Sequence, residues 1–314
     1  VLAPAKINLW LEVLRRRADG YHDIETWMLA LDLCDVVEAR ANGRGDVQLE
    51  VTGACASADI PRDGTNLCVR AAAAALDAAR EARRAARSSG VELRLTKNIP
   101  SQAGLGGASA DAAAAWLAVE SALKVELPPS SAERALASLG SDCVFFLKAA
   151  SSGSAWCEGR GERVAALDGH APEWFVALLT PAVRCPTATV YGALGKPLSA
   201  SRELHSLPAT WLDMPAHALR RRLFNRLEVV ALEATPALAA WRDTLDACGA
   251  EHFRLSGSGS SFYGLFDARD DAEQALDRVF EAAARRGLEA RGRWIARPAG
   301  HGARVMGPKI SRDG

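Results

Sequence analysis

The chain has 314 residues, 49% of them hydrophobic and 24% charged, a globular composition with enough length to bury a large core without staples. Its 38 Lys and Arg balance 38 Asp and Glu, so the net charge is zero and the basic excess of a nucleic-acid-binding protein is missing. Seven scattered cysteines with no C-x-x-C, no apolar run of membrane-spanning length and no visible secretory signal argue against a disulfide framework, a zinc site and a membrane partner, and lead us to expect a reducing cytoplasm.

The chain starts at Val1 without Met, which leaves room for native residues ahead of it. Lys6, Asn8 and Trp10 alternate with Ile7, Leu9 and Leu11, a strand period that assigns the two sets to opposite faces. The Asp-Gly at residues 19–22 is turn chemistry, and strands are expected at 24–31, 36–39 and 47–51. The arginines at 15–17, and those at 220–222, read as solvated faces. Residues 66–87 carry apolar positions at helical spacing and predict a helix, with Gly90 as its breaker. Val91, Leu93 and Leu95 alternate with charged residues and predict a strand into Lys97. A glycine-rich loop at 100–109, an alanine-rich helix over about 109–123 and a short helix over 134–139 follow.

Beyond residue 150 the pattern restarts. A strand is expected at 175–179, helices at 219–234 and 236–248, a strand at 262–266 and a helix at 271–286. Residues 253–255 lead into a small-residue loop at 256–261. The polar 298–314 stretch reads as a flexible tail. The mixture predicts an α+β chain of two lobes, 1–155 and 156–297.

The strongest local signal is Pro100-Ser-Gln-Ala-Gly-Leu-Gly-Gly-Ala-Ser109, between a strand and a helix. Gly104, Gly106 and Gly107 open backbone conformations that bring amides close to an anion. The helix that follows adds its unpaired N–H groups and positive dipole end, completing a phosphate cradle. No Lys-Ser or Lys-Thr follows the last glycine, so it is not a Walker A loop, and no clear βαβ unit supports a dinucleotide fingerprint. The alternative is a tight turn whose glycines serve packing alone. The second run, Ser256-Gly-Ser-Gly-Ser-Ser261, is by itself as consistent with a hairpin connection.

Three motifs in order resemble the GHMP kinase family: Ala3-Pro-Ala-Lys-Ile-Asn-Leu9, the segment 97–111 with the glycine loop, and Arg254-Leu-Ser-Gly-Ser-Gly-Ser260. Asp19-Gly-Tyr-His22, Leu139-Gly-Ser-Asp142, Thr65-Asn-Leu67 and Phe224-Asn225 further resemble the family branch that acts on a cytidine-diphosphate-linked sugar alcohol. The resemblance implies the two-domain GHMP fold with the active site in the cleft between its lobes. It implies an enzyme that uses ATP and Mg²⁺ to phosphorylate the 2-hydroxyl of a cytidyl-linked methylerythritol in the non-mevalonate route to isoprenoids. Its partners are then the two small molecules, with the chain a monomer or homodimer and no metal ligand assigned in the protein. Ala108 stands where the family has Gly, Ala110 where it has Ser, and Arg226 where it has Asp.

The resemblance also assigns roles. Asp142 receives or orients the hydroxyl proton, and Lys6 beside it keeps the carboxylate ionised and steadies the developing alkoxide. The alternatives are a capping carboxylate for Asp142 and an exposed strand residue for Lys6. Asn8, two residues on and so on the same face as Lys6, is assigned to substrate. Tyr21 and His22 suit a cytosine by stacking and hydrogen bonding, with Pro186, Thr187 and Tyr191 as the second wall. Asn66 and Lys97 match positions near the adenine. Pro100, Ala103, Gly104, Leu105, Gly106, Gly107, Ala108, Ser109 and Asp111 form the phosphate loop and the helix start, and Gly257 and Gly259 let the third motif approach. The turn at 158–162 is left unassigned. Another GHMP kinase, acting on mevalonate, homoserine or a sugar, is the competing enzyme reading. A non-catalytic nucleotide-binding protein is the other, though it needs neither Lys6 nor Asp142.

Overall fold

Two sheets pack face to face in the computed structural model, which describes residues 1–149, 152–194 and 211–306. The first sheet is built on a long hairpin, β1 (Leu2–Arg16) with β2 (His22–Asn42). Around it lie β3 (Val47–Thr52), β4 (Gly90–Thr96), β5 (Ser154–Gly159) and β6 (Arg163–Ala166). The second sheet has β7 (Phe175–Pro181) at its centre. Ile7, Leu9, Trp27 and Leu29 of the first sheet meet Val176 and Leu178 of β7 in one buried layer. That burial of apolar side chains on both inner faces holds the lobes together.

Helices cover the other face of the first sheet. In α1 (Leu67–Glu81), the Asn66 side chain caps the first turn by accepting the Cys68 N–H at 2.8 Å. The expected helix over 66–87 stops at Glu81 because its buried stripe ends at Ala79 and the arginines beyond it have nothing to cover. In α2 (Gly107–Leu123), residues 110–116 are buried all round, as a central helix requires. Next come α3 (Pro129–Leu139) and α4 (Cys143–Lys148), the latter unforeseen in the sequence.

The second lobe adds α5 (Thr187–Ala193) and α6 (Ala216–Leu219), followed by a 3-10 turn at Arg220–Arg222. The helix expected over 219–234 is therefore broken. Phe224–Asn225 forms strand β8, parallel to β1 opposite Trp10 and Leu11, and α7 (Arg226–Ala234) starts after it. An extended Asn225, at φ −142°, cannot continue a helix, and its side chain caps α7 instead. Then follow α8 (Pro236–Ala247), β9 (Arg254–Leu255), β10 (Phe262–Phe266), α9 (Arg269–Arg285) and β11 (Ala290–Ala296).

Three further expectations change. A register shift between Asn8 and Trp10 turns Trp10 into the layer of Ile7 and Leu9 and brings Leu11 round to the face of Lys6 and Asn8. The division expected at 155/156 falls inside β5, which still pairs with β2. Residues 298–304, expected in a loose tail, return to the first lobe, where Leu2 pairs with Arg304 and the Ala303 N–H donates to the Phe146 carbonyl at 2.7 Å. Residues 307–314 lie outside the described residues, as does the stretch 195–210 after α5.

Candidate active site

A single cleft of about 960 Å³ runs between the lobes and is lined by all but two of the residues singled out in the sequence. The exceptions are Pro186, which starts α5 from outside the wall, and Gly259, whose missing side chain would face Leu255 and Cys185 rather than the cleft.

Lys6 projects from β1 into the cleft. Its ammonium lies 3.5 Å from Asp142 Oδ2 and donates to Asn8 Oδ1 at 2.7 Å. Asn8 Nδ2 in turn donates to Thr26 Oγ1 at 2.8 Å, and Thr26 donates to the Trp10 carbonyl, so strand β2 fixes the amide's orientation. Asp142 precedes α4 but makes no capping hydrogen bond there, and its side chain is 26% exposed. The carboxylate thus faces the cleft with the Lys6 ammonium beside it.

The glycine loop wraps over this pair. Gly104 and Gly106 have φ of +75° and +71°, and Gly106 is the residue before α2, with no side chain capping that helix. Both must be glycine for space as well. A Cβ on Gly104 would lie 2.1 Å from the Ser256 carbonyl, and one on Gly106 would lie 2.9 Å from Lys6 Cγ and Phe146 Cζ. Leu105 accepts the Lys6 N–H at 2.9 Å, Ser256 Oγ donates to the Gly104 carbonyl at 3.0 Å, and the Ser261 N–H donates to Ala103 at 3.1 Å. Hence all three motifs are hydrogen-bonded into one unit. Asn225 Nδ2 donates to both the Leu255 and Gly257 carbonyls, at 2.8 Å each, clamping the third motif. Pro100, Ala103, Leu105, Gly107, Ala108 and Ser109 complete the loop's lining, with Ala108 the exposed residue at the helix mouth. An uncapped helix start behind a glycine loop offers unpaired N–H groups of the kind that can hold an anion.

Along the same cleft, His22 and Tyr191 rings stand 5.2 Å apart. Burial, and then nearby Arg16, hold His22 below its usual pKa, so it is a neutral ring with one donor and one acceptor. Burial likewise raises the Tyr191 phenol. Thr187 and Ser258 hydroxyls hydrogen-bond at 2.9 Å, joining α5 to the third motif. Tyr21 is 53% exposed, with the Arg160 guanidinium 4.8 Å from its ring centre.

Lys97 and Asn66 do not turn their polar ends to the cleft. The Lys97 ammonium donates to Asp35 and, at 2.7 Å, to Asp111, and the side chain is 4% exposed. Both ends of the Asn66 amide are used, one by the Cys68 N–H and the other by the Pro61 carbonyl at 2.7 Å. Asp35, Thr26, Asn225 and Arg160 were missed as site residues. Arg160 lies in the unassigned turn between Gly159 and Gly161, at φ +73° and +118°, which was the available signal for it. Arg226, where the family has Asp, forms a two-pronged pair with Glu12 at 2.7 and 2.8 Å. All seven cysteines are free thiols, and no described helix is long and apolar enough to cross a membrane.

Two family models match the sequence, the GHMP kinases N terminal domain over residues 66–149 and the GHMP kinases C terminal domain over residues 210–285. The chain belongs to the GHMP kinase family, whose members are ATP-dependent small-molecule kinases. Several of its relatives share one name. The 4-diphosphocytidyl-2-C-methyl-D-erythritol kinase of Chlorobaculum parvum is 34% identical over 280 residues, covering 89% of this chain and 93% of the relative. The kinase of the same name from Syntrophus aciditrophicus is 35% identical over 275 residues, covering 88% and 92%. A crystal structure of 4-(cytidine 5'-diphospho)-2C-methyl-D-erythritol kinase superposes with a TM-score of 0.70 at 31% identity, covering 94% of this chain and 97% of the other.

Proposed function

We propose that this chain transfers the γ-phosphoryl group of ATP to the 2-hydroxyl of 4-diphosphocytidyl-2-C-methyl-D-erythritol, a step of the non-mevalonate route to isoprenoid precursors. One observation carries the reading: the Lys6–Asp142 pair sits in one cleft with an anion-binding loop and a His22–Tyr191 aromatic slot. The loop and the start of α2 hold the phosphates. The slot takes the cytosine, with Tyr191 stacking and neutral His22 hydrogen-bonding its polar edge. The hydroxyl then lies between Lys6 and Asp142. Its oxygen bonds to the γ-phosphorus as the bridge to the β-phosphate breaks, and its proton passes to Asp142. The Lys6 ammonium opposes the negative charge that develops on that oxygen, while Asn8 fixes the ammonium's direction.

Among the described residues no cluster of three His, Cys, Asp or Glu could hold a metal. Mg²⁺ keeps several waters and binds mainly through nucleotide phosphates. The ion would sit at the phosphate end of the cleft, where Ser109 at the start of α2 would be an oxygen ligand, and would supply charge neutralisation on the phosphates. Free thiols throughout fit a cytoplasmic enzyme. Measuring ADP release with the cytidyl substrate, mevalonate and homoserine in parallel tests the reading. Turnover confined to the cytidyl substrate supports it, and turnover on either of the others with none on the cytidyl compound overturns it.

A further inference from the structure

Beneath the glycine loop lies a cluster that the transfer reaction does not use. Lys97 follows β4 directly and opens the loop, and Asp111 lies in α2 just beyond its end. Asp35 comes from β2. Their exposures are 4%, 3% and 0%. The Lys97 ammonium bonds to both carboxylates. Asp35 Oδ1 also accepts the N–H groups of Asn98 and Ile99, at 2.5 and 2.8 Å, and Asn98 Nδ2 donates to the Cys34 carbonyl at 2.8 Å. The loop rests on this cluster, since a Cβ on Gly107 would lie 3.3 Å from Lys97 Nζ and 3.5 Å from Asp35 Oδ2.

We propose that Asp35, Lys97 and Asp111 form a positioning strut that fixes both ends of the glycine loop, so that its amides are aimed at the nucleotide phosphates before ATP arrives. The inference rests on that loop being the ATP phosphate site. Burying three ionisable groups is a poor way to gain stability, because desolvation opposes the attraction between them. What they provide is direction. Each bond fixes a distance and an angle between β2, the start of the loop and α2, where an apolar contact would let the helix slide. Oriented amides bind an anion without having to reorganise first, and a loosened loop loses that advantage.

The test uses the full chain with Asp35→Asn and Asp111→Asn made singly. ADP affinity is read by calorimetry, without turnover, and KM is read for both substrates. The strut predicts ADP binding about tenfold weaker in Asp35→Asn, a matching rise in KM for ATP, and a KM for the cytidyl substrate within twofold of wild type. A merely structural role lowers the folded fraction, and so kcat, but moves neither KM nor the ADP affinity; that result overturns the proposal. Equal rises in both KM values overturn it too. If Asp35→Asn does not fold, Asp111→Asn decides, since it keeps the Lys97–Asp35 pair and the side-chain shape; threefold or more weaker ADP binding supports the strut, and unchanged binding removes it. If the wild type binds neither ADP nor ATP, the reading of the loop itself fails, and the strut with it.

Discussion

Replacing Lys6 with Met separates the two things its ammonium does. The charge is 3.5 Å from Asp142 and 2.7 Å from Asn8 Oδ1, on a side chain only 5% exposed. At an effective dielectric of 20, a unit charge at that separation corresponds to about 5 kcal/mol of gross attraction. Much of this offsets lost hydration in the resting enzyme. The part that matters for rate is the increase as charge develops on the attacking oxygen, and removing one such donor typically costs about 3–4 kcal/mol. The expected fall in kcat is therefore on the order of 10²–10³-fold. Met keeps the stem that packs beneath Gly106 and beside Phe146. Asp142 remains 26% exposed and can draw on water, so the stability cost is about 1 kcal/mol. The phosphate amides are untouched, and KM for ATP is expected to stay within about threefold. A coupled assay of ADP release at saturating substrates, with Tm measured alongside, gives both numbers. A kcat reduced by less than about fivefold, or a loss that follows a large fall in Tm, refutes the charge-stabilising role.

Three other substitutions probe different parts of the account. Gly104→Ala combines a positive φ with a Cβ 2.1 Å from the Ser256 carbonyl, so the loop must shift at a cost of about 1–3 kcal/mol; weaker ADP binding by calorimetry is the expected sign, and unchanged affinity argues that the loop does not hold phosphate. Tyr191→Ala removes one ring of the slot, and since base–aromatic stacking contributes about 1–3 kcal/mol, KM for the cytidyl substrate should rise roughly 5- to 150-fold with KM for ATP unmoved; equal effects on both would dissociate Tyr191 from cytosine. Burial, reinforced by Arg220, lowers His252 to about 4, with Nε2 buried and unbonded. An unfolded His takes up a proton near 6.5, so between there and about pH 4 the unfolded chain binds a proton that the folded one lacks. Stability from this group is complete above 6.5 and is lost as pH falls through about 4. The shift corresponds to about 3 kcal/mol at most, and about half that once the ring's remaining contact with water is allowed for. Thermal melts at pH 7 and 4.5 should show wild type losing more than His252→Leu, and equal losses would exclude the effect.

The parts of the site that could be read from sequence are those whose chemistry is local. Gly104 and Gly106 announce a backbone that other residues cannot adopt, and Lys6 with Asn8 share a face because a strand alternates. Distant pairing leaves no such trace. Nothing near Asp35 shows that it will receive Lys97 from 62 positions away, and an ammonium expected near adenine is drawn into a buried cluster instead. Strands β5 and β11 escaped notice because their partners β2 and β7 lie far along the chain. The helix expected over 219–234 had the right periodicity, but pairing of Phe224 and Asn225 with β1 overrode it. One extra residue in a hairpin defeated the assignment of Trp10, since a bulge reverses every side chain beyond it.

The proposed reaction phosphorylates one hydroxyl, on the carbon that also bears the methyl branch. Phosphorus NMR of the product formed from ATP and the cytidyl-methylerythritol reads this directly. That carbon carries no hydrogen, so the account predicts a new phosphomonoester signal without three-bond proton splitting, appearing as ADP appears. A split signal, placing the phosphate on a primary or secondary hydroxyl, or ADP formation with no new monoester, would contradict it.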